Sequence, residues 1–291
     1  MNNFYCLYNS KSDSHDLHER ISALNNSCVK RGVNFHAINQ QNANFSSLPV
    51  PDSEDGLYNC ARGSRLLECS MINKNVRTLY RKFPGTSVFR DPNQINIIFD
   101  KYNIPTPKTI HYCNNNKELL KSYVDYLGGF PIILKTYGGS GGIGTIQLDS
   151  FQGLFSTADY LFKLDIDFLL KEFIYSESVD RYTVIDEIVF PGYCRLLDNP
   201  NEFRSNAVNG KVVIKKNIPQ SIKDILILAV KRANLYMAGV DIVIDRKTKE
   251  PKVLEVNLPA NFWREGLKSE INIYDDMIDF FIKHPSLKET H

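Results

Sequence analysis

Apolar residues recur along the chain at two spacings, and the switches between them mark the elements. Near the start, FYCLYN is a short apolar run of strand type. Leu17, Ile21, Leu24 and Cys28 then repeat at helical spacing, and Gly32 stands where a helix end favours a left-handed residue. VNFHAIN reads as the next strand, so the first third predicts a βαβ unit. The polar, proline-containing stretch NQQNANFSSLPVPDSEDG separates it from a strand-to-helix segment between about 57 and 83.

Two prolines in NIPTPKT mark a linker near residue 105. After it the pattern predicts a helix over 117–127, then PIILKTYGGSGGIGTIQL at 131–148: an apolar run ending in a lysine, a glycine cluster and a second apolar run. A short helix is expected over 151–163, a strand at DFLLKEFI and alternating strands from Asp180. SIKDILILAVKRANLYMA predicts a helix with Ser221 as its N-cap and Gly239 just past its end. YDDMIDFFIKH is the last helix, and no internal repeat interrupts the series.

Composition narrows the class. A chain of 291 residues makes one large domain or two to three smaller ones, and 43% hydrophobic with 23% charged residues is the balance of a soluble globular core. A net charge of +2 gives no field for nucleic acid or a membrane surface, so neither is expected as a partner. No apolar run approaches a membrane span, and MNNFYCLYNSK lacks the basic-then-apolar order of a secretory signal; the chain is expected in the cytoplasm. Six scattered cysteines without a CxxC pair read as reduced thiols, and six histidines without HxH or HExxH argue against zinc.

The candidate chemistry begins at the glycine cluster. It contains GxGxxG, but GTIQL follows instead of a helix, which argues against a dinucleotide fold. Gly144 is followed by Thr145 and no lysine, so it is not a Walker loop; a kinase would place its lysine downstream and carry HRD and DFG, which are absent. What remains is either a bare hairpin tip or a hairpin lid that lays glycine N–H groups on phosphate oxygens, with Lys135 as a point charge.

A second hairpin, VDIVIDRKTKEPKVLEVN, carries acids. Simple antiparallel pairing of strands at roughly 240–245 and 252–257 sets Asp241 opposite Asn257. Alternation then gives one face Ile242, Ile244, Leu254 and Val256, and the other Asp241, Asp245, Glu255 and Asn257. That second face is either a solvated acidic surface or an oxygen-lined cradle for Mg²⁺ against nucleotide phosphates.

The order of these motifs resembles the ATP-grasp superfamily, and within it the RimK-like carboxylate–amine ligases that include ribosomal-protein glutamate ligases. The resemblance runs from about residue 89 to 284. It implies an α/β (α+β) ATP-grasp fold, two α+β subdomains clasping ATP, behind a small doubly wound pre-ATP-grasp domain. The divisions expected are 1–90 for that first domain, 91–172 for the lid subdomain with the glycine loop, and 173–291 for the subdomain with the metal site. Lys135 matches the phosphate-binding lysine, and Gly138, Gly139, Ser140, Gly141, Gly142, Ile143 and Gly144 match the phosphate-covering loop. Lys171, Glu172, Phe173 and Ile174 resemble the hinge strand, where Glu172 and Phe173 present backbone groups to adenine, and Asp180 matches a nucleotide-contacting aspartate. FRSN aligns Arg204, Ser205 and Asn206 with groups facing the γ-phosphate and acyl group; AGVDI and LEVN align Asp241, Glu255 and Asn257 with the metal ligands.

The chain departs from the family at two places. Arg90-Asp91-Pro92 stands where the family shows Arg-Asp-Lys, whose lysine also touches phosphate, and NLPANFW replaces Ser-Pro-Gly after the metal strand. The implied chemistry is attack of a carboxylate on the γ-phosphate of ATP, then of an amine on the acyl phosphate, with two Mg²⁺ ions (or Mn²⁺), Lys135 and Arg204 countering the charge. Arg62 is a candidate for pairing with a substrate carboxylate and Trp263 for a wall of the acceptor pocket; a surface arginine and a core tryptophan are the plain alternatives. The acceptor class stays open among amino acids, peptides and proteins, with a homo-oligomer expected by analogy.

Overall fold

The structure is a computed structural model that describes residues 1–11, 17–60, 64–84, 92–137, 142–197, 202–204, 212–258 and 272–284. The chain begins with β1 (Asn3–Tyr8), α1 (Leu17–Val29), β2 (Asn34–Asn39), β3 (Asp55–Asn59), α2 (Arg65–Met71) and α3 (Pro92–Lys101). It continues with β4 (Thr109–Cys113), α4 (Lys117–Leu127), β5 (Ile132–Thr136), β6 (Thr145–Leu148), α5 (Phe151–Lys163) and β7 (Phe168–Glu172). Last come β8 (Ser178–Ile185), β9 (Ile188–Val189), β10 (Gly192–Leu196), β11 (Val212–Lys215), α6 (Gln220–Arg232), β12 (Met237–Ile244), β13 (Pro251–Asn257) and α7 (Ile273–Lys283).

Three sheets result. The first is parallel, in the order β2-β1-β3. Its middle strand is buried on both faces, which is why FYCLY reads as an unbroken apolar run. Phe4 and Cys6 enter a cluster with α1 and α7, while Tyr5 and Leu7 enter another with Leu67 and Met71 of α2. The helix that seals the first layer thus comes from the far end of the chain. Phe281 of α7 meets Phe4 edge-on at 5.0 Å between ring centres. Arg31 binds Asp275 and Asp279 at 3.0 and 2.7 Å, and Arg77 donates to the terminal carbonyls of Phe281 and Ile282. Gly32 takes φ +66°, as its position after α1 requires.

The second sheet is antiparallel, β4-β7-β5-β6, with α4 and α5 over one face. Asn116 caps α4 by accepting from the N–H groups of Glu118 and Leu119, and Gly128 ends it at φ +95°. Ile132, Leu134, Phe168 and Leu170 point to the helices. By alternation Ile133, Lys135, Leu169 and Lys171 occupy the opposite face.

The third sheet runs β11-β10-β8-β12-β13, with β9 beside β8. Tyr182, Val184, Val240, Ile242, Val253 and Val256 cover its buried face, against α6 and against Ile95 and Phe99 of α3. The sequence pattern gave no sign of α3 or β4. It also carried the helix now seen as α6 too far: Ser221 lies inside the helix, which begins after Pro219, and Gly239 lies in β12. The turn is made by Asn234 at φ +64°, and the apolar LYMA segment that looked helical feeds into the sheet.

Phe281 is fully buried between the chain's two ends. Phe281→Ala is expected to lower unfolding free energy by about 3–5 kcal/mol, read from urea denaturation followed by circular dichroism. A loss below about 1 kcal/mol would mean that α7 does not seal the first sheet.

Candidate active site

The second sheet carries Lys135 and Lys171 on the face away from α4 and α5, and the third carries Asp241 and Glu255 on the face away from α6. Lys135 on β5 pairs with Leu169, and Lys171 on β7 pairs with Ile133, so both lysines project from the same face. Both are half-buried. Burial first, and then repulsion from Lys135, pull the Lys171 ammonium down to about 8, while Glu255 of β13 and Asp100 of α3 oppose the shift. Lys171 therefore feels Lys135 from its own sheet and Glu255 from the other. A brace lies alongside: Lys252 of β13 donates to Glu172 of β7 at 2.9 Å.

The hairpin above Lys135 is tied at its base, where Thr136 donates to the Gly144 carbonyl at 2.9 Å. Gly142 and Gly144 sit at φ +83° and +80°, and Ile143 between them is exposed. Gly138, Gly139, Ser140 and Gly141 lie outside the described residues. Arg204 reaches this loop from the other side, with Nη1 3.4 Å from the Gly142 carbonyl and Cδ 3.4 Å from where a Gly142 Cβ would stand. A side chain at 142 would crowd that approach. Arg204 is gripped by Glu202 through Nε at 2.8 Å and Nη2 at 2.7 Å, and these bonds hold the Glu202 carboxyl down to about 2. Ser205 and Asn206, like Arg62 and Trp263, fall outside the described residues.

The acidic hairpin differs from its simple register. Asp241 pairs with Glu255, and Asn257 pairs with Gly239 instead of Asp241. A bulge at Leu254 then changes the parity, since Ile242 pairs with Val253. Val253 takes the core position expected of Leu254, and Ile244 is 38% exposed at the strand end. Asp245 is buried in the turn, accepting from the Lys247 N–H at 2.8 Å.

Asp241 itself is already engaged. Arg181 of β8 stands opposite it and forks onto the carboxylate, Nη2 to Oδ2 at 2.6 Å and Nε to Oδ1. Burial works against the Arg181 charge, but Asp241 outweighs it and raises the pKa. Asp180, next in sequence, faces the other way. It pairs with the core residue Ile242 and is bound by Ser178 Oγ at 2.7 Å, the Tyr182 hydroxyl at 3.3 Å and Lys215 at 3.7 Å. The structure thus places Asp180 on the opposite sheet face from Glu255. Glu172 donates its N–H to the Lys108 carbonyl at 2.9 Å at the end of β7, where the hinge expected of Glu172 and Phe173 begins.

Glu255 and Asn257 share one face as a carboxylate and an amide, the hard-oxygen set that suits Mg²⁺. Among the described residues no three acidic, histidine or cysteine groups gather as a ready-made metal cluster. The residues fit a cation completed by the ligand's own oxygens, with Asp241 bound to Arg181 beside it. Sequence reasoning missed Arg181, Glu202 and Lys252. Each is a pairing partner, and only strand order and register reveal partners.

A model of the RimK-like ATP-grasp domain matches residues 90–281. A probable alpha-L-glutamate ligase of Trichodesmium erythraeum (strain IMS101) is 26% identical over 186 residues, 62% of this chain and 59% of the relative. The chain spans about half to three-fifths of the length of the curated relatives it matches. Among solved structures, the ATP-grasp ligase PsnB complexed with minimal precursor superposes with a TM-score of 0.71 at 16% identity, covering 97% of this chain and 99% of that one. A Chryseobacterium gregarium RiPP-associated ATP-grasp ligase, in complex with ADP and a leader and core peptide, gives 0.69 at 15% identity and 99% of both chains. These likenesses establish the fold. No helix among the described residues is long and apolar enough to cross a membrane.

Arg181→Met should strand the Asp241 carboxylate and cost about 3–5 kcal/mol, whereas Arg181→Met with Asp241→Leu should recover most of the loss in urea unfolding. Equal losses in the single and double variants would mean that the pair carries no structural charge balance.

Proposed function

We infer the activity from one premise, that the chain belongs to the RimK-like ATP-grasp family. The reading is an ATP-dependent ligase that joins a carboxylate to an amine through an acyl phosphate and releases ADP and phosphate. The observation that supports it is geometric: Lys135 projects from one face of the second sheet, Glu255 and Asn257 share one face of the third, and the Lys252–Glu172 pair joins the two sheets, a cation and an oxygen set that a Mg-triphosphate would satisfy together.

In this reading the second sheet with α4 and α5 forms the lid, the third with α3 and α6 the cradle, and the first with α1, α2 and α7 the preceding domain, so α3 and α7 cross the divisions expected at 91–172, 173–291 and 1–90. Lys135 neutralises phosphate from the lid side. Arg204 exchanges Glu202 for phosphate oxygens as the loop above it closes, placing its charge where the transferred phosphoryl group develops its own. Glu255 and Asn257 would hold the cation, with Asp241 beside them fixed by Arg181. Mg²⁺, when bound, supplies neutralisation of the phosphates. The family resemblance assigns Ser205 and Asn206 to the acyl group, and Glu172 and Phe173 would present the hinge backbone to the base. The loop over 138–144 keeps water from the acyl phosphate until the amine arrives.

The acceptor is an amino acid or a peptide. Glutamate ligation is favoured by the names of the curated relatives, and peptide modification by whole-length likeness to two ligases solved with peptides. Arg62 and Trp263 remain the candidates for holding it.

ADP release is expected to need both a carboxylate and an amine, and Lys135→Ala or Glu255→Gln should reduce it by at least a hundredfold. The check is a coupled ADP assay across glutamate and peptide acceptors, with products identified by mass spectrometry. A stable phosphorylated product without free phosphate would make the chain a phosphotransferase and end the ligase reading.

A further inference from the structure

Two cations on one sheet face make no ion pair. Lys135 and Lys171 stand diagonally across the β5–β7 ladder, about 7 Å apart along the strand direction. Neither makes a hydrogen bond or an ion pair among the described residues. Lysines on strands of the neighbouring sheet do: Lys252 of β13 binds Glu172, and Lys215 of β11 binds Asp180. Two like charges held side by side and half-buried destabilise a fold unless something else requires them.

We propose that Lys171 is a second phosphate-binding cation of the nucleotide site, acting beside Lys135 on the same polyphosphate. The inference rests on the nucleotide reading given above and extends it to a residue on the hinge strand. Pro92 stands where the family's other phosphate lysine is expected, and Lys171 offers a cation to the same cleft from a different strand. The groups whose charge reaches Lys171 are Lys135 from β5, Glu255 from β13 and Asp100 from α3, and Asp100 is itself bound by His111 at 2.9 Å. Burial and Lys135 weaken the Lys171 ammonium in the ligand-free protein. A polyanion laid across both lysines turns their mutual repulsion into shared attraction, so the pair favours phosphate more than either alone.

The test uses the full chain with Lys171→Met and Lys171→Arg, titrated calorimetrically with MgADP and with magnesium tripolyphosphate, which has no base. Lys171→Met is expected to weaken both ligands tenfold or more and by similar factors, and Lys171→Arg to restore most of the affinity. Ligand-free Lys171→Met should also melt higher than wild type, because the repulsion is gone. Equal binding by wild type and Lys171→Met overturns the proposal, and so does a loss confined to MgADP, which would make Lys171 a contact to the base. Should the Met variant not fold, acetylation footprinting of the wild-type chain decides: tripolyphosphate must protect Lys171 along with Lys135, and protection of Lys135 alone overturns the proposal. A wild-type chain that binds neither ligand overturns the nucleotide reading as well.

Discussion

Each of the two larger sheets buries an apolar face under helices and turns most of its charged residues to the other face; Asp180, held by Ser178 and Tyr182 on the buried side, is the exception. In the second sheet Ile132, Leu134, Phe168 and Leu170 face α4 and α5, and alternation forces Lys135 and Lys171 to the far side. In the third, Tyr182, Val240 and Ile242 face α6, and the same rule sends Arg181, Asp241 and Glu255 outward. Neither sheet makes a site alone. The two sheets are joined where Lys252 of the third binds Glu172 of the second.

Alternation was readable in the chain only as far as strands stay regular. The parity of Glu255 and Asn257 followed from their spacing of two, and Lys135 stood out because the apolar run before it predicted its strand. Asp180 and Arg181 show the limit. A shift of one residue decides which face a side chain takes, and nothing in DRYTVI tells which of the adjacent charges points to the core. The bulge at Leu254 was equally invisible, since it exists only as a mismatch between two strands. Asn234 ended α6 six residues before the apolar pattern did, because a left-handed residue stops a helix whatever follows it.

Packing between distant segments lay further from view. The α7 helix looked like an appendage of the last subdomain, yet Met277 and Phe281 complete the core of the first sheet. The α3 helix follows the first domain in sequence and buries Ile95 and Phe99 in the core of the third sheet. Hydrophobic periodicity states that a helix has an apolar face; it does not state which surface that face covers.

Internal pairing also sorts the charged residues of the cleft into two kinds. Asp241 is matched by Arg181, Glu172 by Lys252, and Arg204 by Glu202. Lys135, Lys171 and Glu255 have no such match among the described residues. A buried or half-buried charge without a partner destabilises the ligand-free protein, whereas a matched one is self-sufficient. The matched pairs are self-sufficient, and the unmatched groups are the ones left to a ligand under the proposed function. Arg204 stands between the kinds. Its guanidinium is satisfied by Glu202 while touching the glycine loop at Gly142, so any anion that takes this charge has to compete with a carboxylate.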